Sequence, residues 1–164
     1  MAATLSAWAV RAYARPDVEA LCLELQNAHG QCVPLLLWAA WAEGATNPTL
    51  AAAAILCRDW ETSVIVPLRG VRRALKTSDS RVDDTARERL RSDVKGAELI
   101  AELLLLDSLQ ALTPPASPTP SDSTFERLMA AALAYTAAGA PEPLLVELAT
   151  RLSGGPVESP PVLL

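Results

Sequence analysis

The run Val33–Ala42, VPLLLWAAWA, constrains this chain more than any other segment. It is apolar on every face of a helix, and a helix of that kind has to be enclosed by other elements. It cannot cross a bilayer, which takes about 20 apolar residues. The second apolar run, Leu50–Cys57, is also too short. A central core helix over residues 34–42 is therefore predicted, with Pro34 at its first position and Glu43-Gly44 closing it.

The material available to surround it is helical. Hydrophobic residues make up 51% of the 164-residue chain, and mean hydropathy is +0.21. Much of that content is Ala and Leu, both strong helix formers. One Phe and two Tyr, beside four Trp, are too few aromatics for a β-sandwich.

Spacing predicts a first helix over Leu5–Ala14, from Leu5, Trp8, Ala9 and Ala12, with Thr4 as cap and Arg15-Pro16 as stop. A second runs from Asp17 to His29 on Val18, Leu21, Cys22 and Leu25, with Gly30 placed for a left-handed end. Asn47-Pro48 opens a long helix to Lys76. Pro67 interrupts it, removing the bond to the Ser63 carbonyl and predicting a kink or break. The pattern Val82–Leu112 has a charged first half, expected to be solvated, and a Leu-rich second half, expected to be buried.

Residues 113–121, TPPASPTPS, cannot build a core and read as an extended linker. Ser121–Ser123 offers caps for a helix over Thr124–Ala138, and a last helix covers Pro143–Leu152. The expected architecture is all-α: a compact bundle of about five helices in residues 1–112, a Pro-rich linker at 113–123, one or two helices in 124–152, and a loose tail over 153–164.

Charge is uneven. The net value is −5, so no global attraction to nucleic acid is expected. Between Arg58 and Lys95, however, ten basic residues face seven acids. On an uninterrupted helix, Arg58, Arg69, Arg72, Arg73 and Lys76 fall within about a third of the circumference. Arg69, Arg72, Arg73 and Lys76 are the candidate partner-binding face. The same residues also read as an ordinary solvated surface. Glu98 and Glu102, one turn apart, suit acid–base work or a metal in principle. A chain reversal near Asp79 would set Arg58 opposite them, which favours a structural ion pair of Arg58 with Glu98 and Glu102.

Catalytic chemistry finds little support. Cys22, Cys32 and Cys57 are odd in number and form no C-x-x-C, so neither a disulfide framework nor a zinc knuckle is indicated. His29 is the only histidine, which excludes multi-histidine zinc sites and paired Glu-x-x-His di-iron sites. A Cys32–His29 nucleophile is conceivable, but a buried inert cysteine is the plainer reading. No phosphate-binding glycine loop and no nucleophile elbow occurs. No cofactor and no metal is expected. Met1–Trp8 lacks the basic and apolar regions of a signal peptide, and a reduced cytoplasmic location is expected.

The segments YARP (13–16), LELQNAHG (23–30), VPLLLWAAW (33–41), the Trp60–Lys76 pattern with PLR and RR, and VKGAELIAE (94–102) together resemble a bacterial family, domain of unknown function 2390. The resemblance spans residues 5–112. It implies a small bacterial cytoplasmic helical protein and brings no catalytic residue or cofactor with it.

Two function classes remain ahead of an enzyme. One is a protein–protein interaction or regulatory module using the Arg69–Lys76 face. The other is a binder of an apolar small molecule or lipid in the helical core, where Trp8, Trp38, Trp41 and Trp60 could line a cavity. A homodimer is compatible with the high apolar content.

Overall fold

The computed structural model describes residues 4–114, 123–136 and 139–154. Among them are eight α-helices, one π-helical turn and no strand. The helices are α1 (Leu5–Tyr13), α2 (Pro16–His29), α3 (Val33–Trp41), α4 (Asn47–Trp60), α5 (Val66–Ala74), α6 (Asp84–Leu112), α7 (Thr124–Tyr135) and α8 (Glu142–Ser153). The fold is all-α. No helix among the described residues is long and apolar enough to cross a membrane.

Local signals set most boundaries. The Thr4 hydroxyl accepts from the Ala7 amide at the start of α1. Gly30 takes the left-handed conformation, φ 61, that ends α2, a backbone region that glycine enters without a Cβ penalty. Ser123 and Glu126 form a reciprocal capping box at α7. Asn47, expected to be a cap, is instead the first helical residue, and Thr46 precedes it with extended backbone.

α3 is the enclosed helix. Every residue from Val33 to Ala40 is buried, and Trp38 is fully so. Helices α1, α2, α4, α6 and α7 all touch it. The Trp38 indole donates to Thr113 Oγ1 at 2.8 Å, which satisfies the one polar atom of that side chain. Leu128, Ala131 and Ala132 of α7 and Leu145 and Leu148 of α8 belong to the same apolar cluster as α1–α6. The sequence groups residues 124–152 apart from 1–112. In the folded chain, α7 lies directly on α3 and α4, and α8 on α2 and α7.

Of the kink or break expected at Pro67, no break forms. The backbone stays helical from α4 into α5, with φ and ψ of −58 and −48 at Glu61 and −61 and −44 at Val66. The proline is accommodated by widening. Glu61–Ile65 is a π turn, closed by the Val66 amide donating to the Glu61 carbonyl five residues back. One extra residue in a turn rotates everything downstream by about 100°. The buried positions register this shift. Leu50, Ala54 and Cys57 point inward, and the next fully buried residue is Ile65 rather than Val64.

Candidate binding cavity

The rotation at the π turn divides the basic face expected for residues 58–76. Arg58 lies before it and turns toward α7, where its Nη1 donates to the carbonyls of Ala134 (2.8 Å) and Tyr135 (3.1 Å). Arg69 and Arg72 lie after it and turn toward α6. Arg69 Nε is 3.0 Å from Glu98 Oε1, Arg72 Nε is 2.6 Å from Glu98 Oε2, and Arg69 Nη2 is 3.4 Å from Glu102 Oε1.

The pairing of Arg58 with Glu98 and Glu102 is therefore corrected: Arg69 and Arg72 meet these acids. Side-chain lean supplies a second reason. Helical side chains tilt toward their own N-terminus, so across an antiparallel pair the tips of two residues C-terminal to the level position converge. Arg69 and Arg72 converge on Glu98 in this way, whereas Arg58 leans away from it. Of the four residues assigned to a partner-binding face, Arg69 and Arg72 thus face α6, and Arg73 and Lys76 remain exposed.

Three further arginines do what Arg58 does. Arg127, buried on α7, donates from Nε to Ala39 O and from Nη2 to Ala40 O, each at 2.9 Å. These carbonyls lie in the last turn of α3, which has no basic residue of its own there. Arg15 donates to Arg151 O near the end of α8 at 3.0 Å. Arg87 donates to Leu75 O, at the end of α5. The last carbonyls of a helix lack intrahelical donors and carry the negative end of its dipole, so a guanidinium satisfies both needs.

Above the Arg69–Glu98 network lies a cavity of about 280 Å³ between α1, α2, α3 and α6. Its buried wall consists of Ala9, Val33, Pro34, Leu37 and Leu106. Val10 and Leu99 stand exposed on its lining. Tyr13, Gln26 and Glu102 are its polar residues. Tyr13 is half-buried, and burial, aided by nearby acidic groups that include Glu102, pushes its hydroxyl up to about 12.

The two acids of α6 differ. Burial works to raise Glu98, but hydrogen bonds from Arg72 and Arg69 outweigh it and hold the carboxyl below its ordinary value. Burial raises Glu102, and the single long contact to Arg69 does not offset it. Its spacing from Glu98 marks Glu102 in the sequence. Its place on an apolar cavity, and those of Tyr13 and Gln26, carried no sequence signal, because each also fits a solvent-facing helix position.

The cysteines are all buried and free. Burial pushes the Cys22 thiol up to about 12. Cys32, the nucleophile candidate, is fully buried at the start of α3, and burial together with neighbouring Cys57 holds its thiol well above its ordinary value. Such thiols are inert as nucleophiles. Among the described residues, no group of three or more His, Cys, Asp or Glu side chains could hold a metal ion.

Comparison with known proteins adds one match. No curated protein and no solved structure matches the chain. The model of one family, described as Protein of unknown function (DUF2390), matches residues 4–109, from the cap of α1 to the buried end of α6. That stretch is more than half of the chain, and the protein belongs to the DUF2390 family.

Proposed function

We propose that the protein is a non-enzymatic binding module that takes a small apolar molecule in the cavity between α1, α2, α3 and α6. The carrying observation is the cavity itself: about 280 Å³, walled by Ala9, Val33, Leu37 and Leu106, with few polar groups. Ligand sites are typically apolar hollows with a small number of placed polar groups. An engineered apolar cavity of about 150 Å³ already binds benzene, so this volume suffices for a larger molecule.

Native mass spectrometry of freshly purified protein, with calorimetric titration of 1-octanol, tests the reading. A co-purifying small molecule, or saturable octanol binding lost in Val10→Trp, supports it. A clean apo mass together with no octanol binding removes it.

A second reading, a regulatory protein–protein contact, draws on the cations that α5 leaves exposed, Arg73 and Lys76. Reversing both charges and comparing proteins retained from lysate tests it. Identical partner sets for wild type and variant would remove it.

A further inference from the structure

Resting on the reading that this cavity takes a small molecule, we infer that the ligand carries a protonated amine, set against Glu102, with its apolar body against Leu37, Leu103 and Leu106. Glu102 is an incompletely compensated charge beside an apolar hollow. Around Glu102 stand two guanidinium groups, Arg69 and Arg72, and two further carboxylates, Glu98 and Glu61. Glu98 draws the short contact from each arginine, 3.0 Å and 2.6 Å. Glu61 is met by a neutral donor, the Tyr135 hydroxyl, at 3.0 Å. Three carboxylates thus share two cations, and the deficit falls on Glu102, whose contact to Arg69 is 3.4 Å.

Glu102 lies on the lining of the cavity, whose other polar residues, Tyr13 and Gln26, are not cations. An ammonium placed at Oε2 supplies the missing charge and up to three donors, and the Tyr13 hydroxyl can accept one of them. A charge-assisted bond of this kind is roughly twice as strong as a neutral one. An alcohol would donate without neutralising, and a carboxylate ligand would add a fourth negative charge. By proportion to benzene in its smaller cavity of about 150 Å³, the hollow of about 280 Å³ accommodates about eleven carbons, enough for an eight-carbon chain.

Calorimetric titration of the full chain at neutral pH with octylamine, 1-octanol and octanoate separates the possibilities. Octylamine is expected to bind about tenfold more tightly than 1-octanol, with octanoate weakest. Glu102→Gln should bring octylamine down to the octanol level, while 1-octanol still binds saturably, which also shows that the cavity is intact in the variant. Val10→Trp, at an exposed lining position, should weaken all three. Equal binding of octylamine and octanol in the wild type, a Glu102→Gln variant that keeps the amine preference, or tightest binding of octanoate would overturn the amine and leave the cavity reading standing. Failure of all three ligands to bind would remove the cavity reading itself.

Discussion

Glu98 and Glu102 lie one turn apart on α6 and share Arg69 unequally, at 3.0 Å and 3.4 Å. Only Glu98 has a second arginine, Arg72 at 2.6 Å. One acid is consequently held below its ordinary pKa and the other above it. The same pair anchors α5, which buries no apolar residue of its own, and leaves one acid on the lining of the cavity.

The opposite shifts predict opposite pH behaviour. The lowered pKa of Glu98 contributes stability that is present above the unfolded value of about 4.3 and is lost as pH falls through the folded value. The raised pKa of Glu102 contributes stability that is complete below about 4.3 and lost as pH rises through its folded value. Glu98→Gln should therefore cost about 2 kcal/mol at neutral pH and flatten the acid limb of the stability curve. Glu102→Gln should cost under about 0.5 kcal/mol or stabilise slightly at neutral pH. Denaturant titrations at several pH values check both signs.

Arg127 should be among the least replaceable charged residues. Arg127→Met keeps the apolar stem and removes the donors that meet the carbonyls of Ala39 and Ala40 at the end of the enclosed helix. Leaving such buried groups unsatisfied costs about 1–3 kcal/mol. The melting temperature should fall by about 5–10 °C, and a fall within 1 °C by calorimetry would count against the capping role.

Arg58→Ala should be milder. It removes donors to Ala134 and Tyr135 at the end of α7 from an exposed side chain. A loss of about 1 kcal/mol is expected, with partial recovery in Arg58→Lys. A double-mutant cycle with Glu98→Gln should show additivity, because Arg58 and Glu98 share no contact in this structure. A coupling energy near 1 kcal/mol would restore the direct pair.

Ending the chain after Leu112 should prevent cooperative folding. The faces of α3 and α4 that cover Leu128, Ala131 and Ala132 would be left open to water, and Arg127 would be lost from the end of α3. Circular dichroism should show helix without a sharp thermal transition. A truncated chain melting as sharply as the full one would make α7 and α8 dispensable.

Much of the fold is legible in sequence, for identifiable reasons. Pro16, Gly30, Asn47-Pro48 and Ser123 are local punctuation, and they place helix ends within a residue or two of where they form. The enclosed helix follows from Val33–Ala42 alone. The π turn leaves no such mark, because Glu61–Ile65 has no special composition and only its proximity to Pro67 hints at strain. That one inserted residue reassigns every side chain downstream, and the roles of Arg58, Arg69 and Arg72 change with it. The contact of Arg127 with α3 is equally silent in sequence. Its partners are backbone carbonyls 87 and 88 residues away, which carry no residue-type signature. The cavity is a property of four helices together, so no single stripe announces it.

The claim that this cavity binds an apolar ligand is tested most directly by methyl NMR of the labelled full chain during titration with octylamine. The methyl signals of Val10, Val33, Leu37, Leu99, Leu103 and Leu106 should shift together to saturation, while those of Leu128 and Leu148, in the core beneath α7 and α8, stay in place. Shifts that fail to saturate, or that fall on Leu128 and Leu148 and spare Leu37 and Leu106, would contradict it.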